Sequence, residues 1–448
     1  MNRARATRDR TPVQASQGLG GGGGVRRIAS LASTGLLAAT AISFLLLMYA
    51  RMRRPDGNDL TVYLRSAEAL IHGGDPYRLD VPQGHGPYPL TIDTLAIPLT
   101  WVPQWLAQAI WFGVNVAGLL GALLVLERLW RAAEPARRGD GKASYPVRLA
   151  AVVLALLVPL QSHLTRGQVN LVALGLCTLF LRAQLSGRPV SSGLWLGGAI
   201  ALKLTPLVFT VGLARERKYR ALIAAASSTV LCAVGLPTLV SSHVVAIYWN
   251  SWTQTLGREV TGPVSFSPWS RFTLAAVLVR TWPGLVAVPG LRYLVALIVL
   301  AFLYWVHGRV AGDARGQLLA FALALVAIPL VTPKSENHHL AILVGALWVW
   351  LLAAEAEPSW RALDVTAATL FLGAAWVGAH HPDSVLDALA LVVLFVVLAV
   401  RTLSWPRSRG PSVVGDRLAP ALPPSAGGPP PRSEPSLARR LRGPVTTA

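Results

Sequence analysis

Val190-Ser-Ser-Gly-Leu-Trp-Leu-Gly-Gly-Ala-Ile-Ala-Leu202, Lys203-Leu-Thr-Pro206 and Leu207-Val-Phe-Thr-Val-Gly-Leu-Ala214 form the stretch on which the fold turns. The apolar runs 190–202 and 204–214 are each too short to cross a bilayer core comfortably, which takes ~20 residues. The stretch also begins and ends on basic loops, Arg188 on one side and Arg215, Arg217, Lys218 and Arg220 on the other. Basic loops collect on the cytoplasmic side of a membrane. Two short broken helices meeting around Lys203 satisfy both facts, and non-helical backbone at that depth must line protein or water. Read as a single span, the stretch would reverse everything downstream and put the later basic loops outside.

Toward the N-terminus, 168–185 and 149–164 read as a hairpin whose far tip is Thr165-Arg-Gly167. The densest basic loop (Arg128, Arg131, Arg137, Arg138, Lys142, Arg148) separates it from the apolar segment 104–126, and the first apolar block is 28–50. That block is too long for a signal peptide, and no clear small-x-small cleavage site follows it, so it reads as a retained helix. Toward the C-terminus, 221–240 crosses outward to a long polar and aromatic loop, 241–284. The segments 287–307, 317–332, 340–354, 363–379 and 385–402 then alternate. The expectation is an all-α polytopic membrane protein of about 12 spans with both termini on the cytoplasmic face. Its polar outer stretches would be 51–103, 165–167, 241–284 and 333–339.

Composition agrees. Apolar residues make up 53% and charged residues 14%, against a charged share of about 25% in soluble domains. Of the formal net charge of +20, the tails 1–27 and 401–448 supply 11, and most of the rest sits in short loops. This is the positive-inside pattern, so nucleic acid is not an expected partner. Residues 1–27, ending in Gly20–Gly24, and the Pro- and Arg-rich 404–448 read as disordered cytoplasmic tails around a membrane domain spanning 28–403. Cys177 and Cys232 fall inside apolar segments without CxxC spacing and read as packed thiols. No metal-ligand spacing appears, so no metal or other cofactor is expected.

Chemistry concentrates after the first span. Six of the 21 acidic residues (Asp56, Asp59, Glu68, Asp75, Asp80, Asp93) lie between 51 and 103. Leu60, Tyr63, Leu64, Ala67, Leu70 and Ile71 recur at helical spacing, predicting an amphipathic helix over 60–72. Asn58 or Asp59 would cap it and Gly73 would end it. Such a helix is expected to lie along the membrane surface with Arg65, Glu68 and His72 toward water.

Asp59-Leu-Thr-Val-Tyr63, Gly74-Asp-Pro-Tyr77, Tyr88-Pro89, Gly167-Gln-Val-Asn170, Lys203-Leu-Thr-Pro206 and His338-His339 follow one another in that order. On these motifs, over roughly residues 30–400, the chain resembles glycosyltransferase family 87. These are the polyprenyl-phosphate-mannose-dependent mannosyltransferases of bacterial envelopes, with the GT-C membrane fold. The resemblance implies an inverting hexosyltransferase of the cell membrane, acting on its outer face. The donor would be a polyprenyl-phosphate sugar and the acceptor a glycolipid or glycan hydroxyl. It also implies an Asp base, matched by Asp59, since the attacking hydroxyl must lose a proton. The leaving phosphate gains charge and needs donors or cations beside it, for which His338, His339, Lys203, Arg166 and Arg271 are the candidates. Tyr63, Tyr77, Tyr88, Gln168 and Asn170 complete the expected substrate-binding set.

Plainer readings stand beside these. Asp59 alone could be a helix cap, which would lower its pKa and weaken it as a base. His338 and His339 could be interfacial polar residues, and Lys203 could tie two broken helices together. Gln168 and Asn170 could satisfy backbone at a hairpin tip. Tyr63, Tyr77, Tyr88, Trp249, Trp252 and Trp269 fit an aromatic interface belt as well as a sugar platform. Two departures from the family pattern, Leu90 where a second Pro is common and Lys334-Ser-Glu-Asn337 where a Trp is often found, leave arabinosyl or glucosyl transfer open. A transporter or lipid-sugar flippase is the competing class, but it would place charges at mid-membrane in several spans and show internal symmetry.

Overall fold

The computed structural model describes residues 35, 39–53, 58–78, 88–133, 145–261, 264, 272–288, 290–380 and 385–405. Among the described residues the regular structure is helical, with no strand. In chain order the helices are α1 (Ala39–Met52), α2 (Asp59–His72), α3 (Thr91–Thr100), α4 (Gln104–Ala133), α5 (Tyr145–Ala155) and α6 (Leu157–Arg166). There follow α7 (Asn170–Leu185), α8 (Pro189–Leu202), α9 (Thr210–Arg215), α10 (Tyr219–Val240), α11 (Ser242–Thr261) and α12 (Leu274–Thr281). The chain closes with α13 (Leu291–Val310), α14 (Ala314–Val331), α15 (Asn337–Ala356), α16 (Arg361–His380) and α17 (Leu386–Ser404).

The core forms around α14, where every residue from Leu318 to Leu330 is buried. A helix apolar on all sides is stable only when neighbours cover it all round. Here the cover comes from α4, α7, α13, α15 and α17, which all reach one core cluster with α14. On α8, Gly193 and Gly197 let the backbone of α10 come close: a methyl group at either would lie 2.3 Å and 2.4 Å from the carbonyl oxygens of Ala221 and Ala225. That is small-residue helix packing of the kind lipid-embedded pairs use.

The deciding stretch is broken as its sequence requires. α8 ends at Leu202, Lys203 is extended (φ −157°, ψ 132°), and a 3-10 turn over Thr205–Phe209 leads into α9. Pro206 has no N–H for the Leu202 carbonyl and its ring would press on that oxygen, so the α-helix cannot pass through. Pro159 does the same one hairpin earlier. Its i−4 partner is Ala155, where α5 stops, and α6 leaves at 78° to it. Ahead of Pro237, α10 takes up the mismatch as one π turn, Leu231–Gly235.

Among the described residues five helices (α4, α10, α13, α14, α15) are long and apolar enough to cross a membrane, or six crossings if the bent α5–α6 pair counts as one. Shorter apolar helices are Ala39–Met52, Asn170–Leu185, Pro189–Leu202 and Ala388–Ser404. The chain is thus a multi-pass membrane protein.

Two expectations need correction. The stretch 241–284 is largely helical, in α11 and α12, rather than a loop. On α11, Val244, Val245 and Tyr248 bury against Leu70 and Leu90, so its sparse apolar stripe finds protein. The apolar face of α2 likewise rests on protein: Leu60, Tyr63 and Ala67 pack with Ile92, Ala96, Trp111 and Leu202. Arg65, Glu68 and His72 are exposed as expected, and so is Ile71.

Candidate active site

The site begins at the first residue of α2. Asn58 caps the helix, its Oδ1 accepting from the Leu60 N–H at 2.8 Å while its Nδ2 donates to the Met52 carbonyl at 2.9 Å. Gly73, left-handed at φ 79°, ends the helix. Because Asn58 serves as cap, Asp59 keeps its carboxylate for other work. Among the described residues no hydrogen bond engages that carboxylate. Burial pushes the Asp59 carboxyl up to about 6; the charges of Arg166 and Lys203 draw it down, and Glu336 raises it further.

Three chain segments converge on Asp59. The first is the tip between α6 and α7. Gly167 is left-handed (φ 67°), and a Cβ there would stand 2.9 Å from Asn58 Oδ1 and 3.1 Å from Leu60 Cβ. Trp111 Nε1 donates to the Gly167 carbonyl at 2.7 Å, pinning the tip that carries Arg166 and Gln168. The second is the break after α8, where Lys203 Nζ donates to Asn170 Oδ1 at 2.6 Å and stands 5.5 Å from the centre of the Tyr88 ring.

The third is the start of α15. Glu336 Oε2 lies 3.5 Å from Arg166 Nη1 and 3.6 Å from His338 Nδ1. The Glu336 side chain accepts from the His339 backbone N–H, and the Glu336 N–H donates to His339 Nδ1 at 2.9 Å. His339 is therefore protonated on Nε2, the nitrogen left to donate. His339 lines a cavity with Asn170, Lys203, Thr205, Thr332 and Lys334.

The aromatic residues divide. Tyr88 donates to Gln168 Oε1 at 3.2 Å and meets the Tyr63 ring edge-on at 6.0 Å. Burial, then Asp59 and Glu336, push its phenol up, so the hydroxyl stays a donor. Tyr77 sits outside this cluster. It donates to the Tyr88 carbonyl and packs on Tyr248, whose hydroxyl accepts from the Leu90 N–H at 2.9 Å. Tyr77 thus holds the backbone on which Tyr88 stands. Trp249 and Trp252 pack beside Tyr248 on α11. Arg271 and Trp269 lie outside the described residues. Sequence reasoning missed Glu336, whose only signal was its place three residues before His339. It also missed His163 and Asn115, polar residues inside apolar runs, which ordinarily mark function or a paired interior. Among the described residues no group of three or more His, Cys, Asp or Glu is placed to share a metal ion.

Asp59, Lys203, Arg166 and the His338–His339 pair thus gather at one end of an apolar helical bundle, an arrangement suited to a multi-pass membrane enzyme. Residues 87–333 match glycosyltransferase family 87. Over 370 residues, 78% of this chain and 80% of the relative, the sequence is 30% identical to the polyprenol-phosphate-mannose-dependent alpha-(1-2)-phosphatidylinositol pentamannoside mannosyltransferase of Mycobacterium tuberculosis. It is also 30% identical over 321 residues, 67% of this chain and 69% of the relative, to a polyprenol-phosphate-mannose-dependent alpha-(1-2)-phosphatidylinositol mannoside mannosyltransferase of Mycolicibacterium smegmatis. The chain belongs to glycosyltransferase family 87, and the transporter reading gives way to it.

Proposed function

We propose that the protein transfers mannose from a polyprenyl-phosphate donor to a hydroxyl of an envelope glycolipid, inverting the anomeric carbon, with Asp59 as general base. The observation that carries this is the division of labour between Asn58 and Asp59: the cap is filled by its neighbour, so the carboxylate faces Arg166 and Lys203 uncommitted. The named activities of the relatives supply the donor, and their phosphatidylinositol mannoside acceptors supply the acceptor class.

In the reaction the acceptor oxygen attacks the anomeric carbon on the side away from phosphate, and its proton passes to the Asp59 carboxylate. The bond from that carbon to the phosphate oxygen breaks, and its electron pair leaves with polyprenyl phosphate. Lys203, Arg166 and the His339 Nε2–H are the groups that meet the developing charge; such donors are worth most in a dry pocket, where they need not reorganise. His338, 3.6 Å from Glu336, backs that set. A pKa of about 6 suits Asp59 to proton abstraction. The group is ionised at neutral pH yet basic enough to take a proton in the transition state.

The same reading places the site on the outer face of the membrane. Asp59, Tyr88, Arg166 and His339 come from stretches assigned outside by the basic-loop pattern, and their convergence supports a common side. Both termini, and about twelve segments in all, follow from that pattern. A Lys334→Cys variant, in a background lacking Cys177 and Cys232, should be labelled by an impermeant thiol reagent in intact cells, and Arg220→Cys only after lysis. The reverse would overturn the orientation.

Purified protein supplied with polyprenyl-phosphate-mannose and a phosphatidylinositol mannoside should release polyprenyl phosphate and yield a lipid heavier by one hexose. Transfer from a polyprenyl-phosphate arabinose or glucose donor instead would keep the enzyme class and change the sugar. Release without a glycosylated lipid would remove the acceptor assignment.

A further inference from the structure

Behind the pocket, four buried polar side chains from four parts of the fold stand in line: Asn115 on α4, His163 on α6, Asn170 on α7 and Lys203 after α8. Asn170 and Lys203 line the cavity with His339, and Asn115 and His163 stand behind them. The hydrogen-bonding role of each is fixed by the one before it. Asn115 Nδ2 donates to the Trp111 carbonyl at 3.1 Å, so its Oδ1 is the atom presented to His163 Nε2 at 3.0 Å. An acceptor there puts the proton of a neutral ring on Nε2 and leaves Nδ1 as an acceptor. Asn170 Nδ2 lies 3.4 Å from that Nδ1 and donates to the His338 carbonyl at 2.9 Å. The amide nitrogen of Asn170 is thereby committed, and its Oδ1 is turned to Lys203 Nζ at 2.6 Å.

We infer that His163 is a positioning residue: with Asn115 it holds the Asn170 amide in the one orientation that accepts from Lys203, and so sets where the ammonium stands. A lysine side chain has four rotatable bonds and no preferred direction of its own. A flipped Asn170 would turn its NH2 toward the ammonium, donor against donor, and send Lys203 elsewhere. The inference rests on the reading of Lys203 as a group beside the leaving phosphate. It extends the machinery to two residues that touch no substrate.

The test uses the full-length purified protein and two readouts. His163→Leu keeps the side-chain bulk and removes both nitrogens; His163→Asn restores an acceptor near the Nδ1 position. With polyprenyl-phosphate-mannose as donor, His163→Leu should lower kcat by up to about 100-fold, the scale of a misplaced group, with KM for the donor changing far less. His163→Asn should recover most of the loss. In a Lys203→Ala background His163→Leu should cost almost nothing further, because both changes remove one unit. The second readout needs no turnover: reductive methylation of Lys203, followed by mass spectrometry, should run several-fold faster in His163→Leu and Asn115→Leu than in the native protein. A His163→Leu loss that persists at full size without Lys203, or an unchanged methylation rate, overturns the inference. A native protein that transfers no mannose sinks the functional reading alone, since the methylation rates still decide the positioning role.

Discussion

The two ends of the bundle hold buried charge in opposite ways. At the end of the basic loops, Arg401 closes on both oxygens of Asp364. It also donates to the Ala353 carbonyl at 3.2 Å, and Trp350 Nε1 donates to the same carboxylate at 2.8 Å. Arg148 meets Glu127 at 2.7 Å and Glu355 at 2.9 Å. At the other end of α15, about 30 Å away for a helix of that length, Arg166 and Glu336 meet only at 3.5 Å and His338 stands 3.6 Å from the same oxygen. Charges taken out of water are costly unless their partners are close and complete. The first end meets that demand within the protein. The second holds its charges at longer range, with the Arg166 side chain 40% exposed.

The hardest blow to this contrast is Asp59→Asn, which keeps size and hydrogen bonding and removes only proton acceptance. Transfer should fall by about 10²–10⁴-fold, the contribution of a positioned general base, while expression and donor binding persist. Asp56→Asn, outside the motif, should be near normal. Full activity in Asp59→Asn would turn its carboxylate into a structural group like Asp364; equal loss in both variants would shift the cause to the charge of the stretch.

Smaller by an order or so, His339→Ala should lower turnover by about 10²–10³-fold, the scale of one transition-state donor, with folding retained. His338→Ala should have the lesser effect of the pair. Unchanged rates in both and in the double variant would return the pair to packing.

A pH profile sharpens the same point. With its folded pKa raised to about 6, Asp59 must be ionised to act, so transfer should fall tenfold per unit below about pH 6 and flatten above it. The stability effect has the opposite sense. A carboxyl whose pKa is raised on folding contributes stability present below its unfolded pKa and lost as pH rises through the folded one. Asp59→Asn should therefore gain unfolding free energy relative to the native protein as pH rises from 4 to 7, by on the order of 2 kcal/mol. An Asn variant no more stable at pH 7 than at pH 4 would mean the carboxylate is not held against its burial.

Least of all for transfer, Arg401→Met should leave activity per folded molecule unchanged and cost about 3–5 kcal/mol of stability, because Asp364 is left buried without its cation. Thermal unfolding in detergent beside specific activity separates the two. Lost activity at full stability would mean that the closed end also serves the reaction.

Hydropathy and punctuation made much of this legible in advance. α2 starts after Asn58 and ends at Gly73 as its caps dictate, and the stretch around Lys203 breaks at Pro206 as its length and basic flanks required. What escaped notice has physical causes. A proline in an apolar run reads equally as kink or stop, and only Ala155 and the 78° turn tell which Pro159 makes. α11 reads as loop because its apolar stripe is sparse among polar residues, and burial against Leu70 and Leu90 makes up the difference. Tyr77 carries the same side chain as Tyr88 and no local sign that one supports the other. Glu336 meets Arg166 across a separation in sequence that no local pattern crosses.

Gly167 has no functional group, yet its missing side chain has consequences for mutational tolerance. A methyl group there would meet Asn58 Oδ1 at 2.9 Å and would sit on a backbone of φ 67°. The overlap presses on the one residue whose capping leaves Asp59 available, so even alanine would reach the reaction by way of a helix end. In a saturation scan scored for activity, position 167 should behave like a reacting residue. Scored for chemistry alone, nothing about it would explain why.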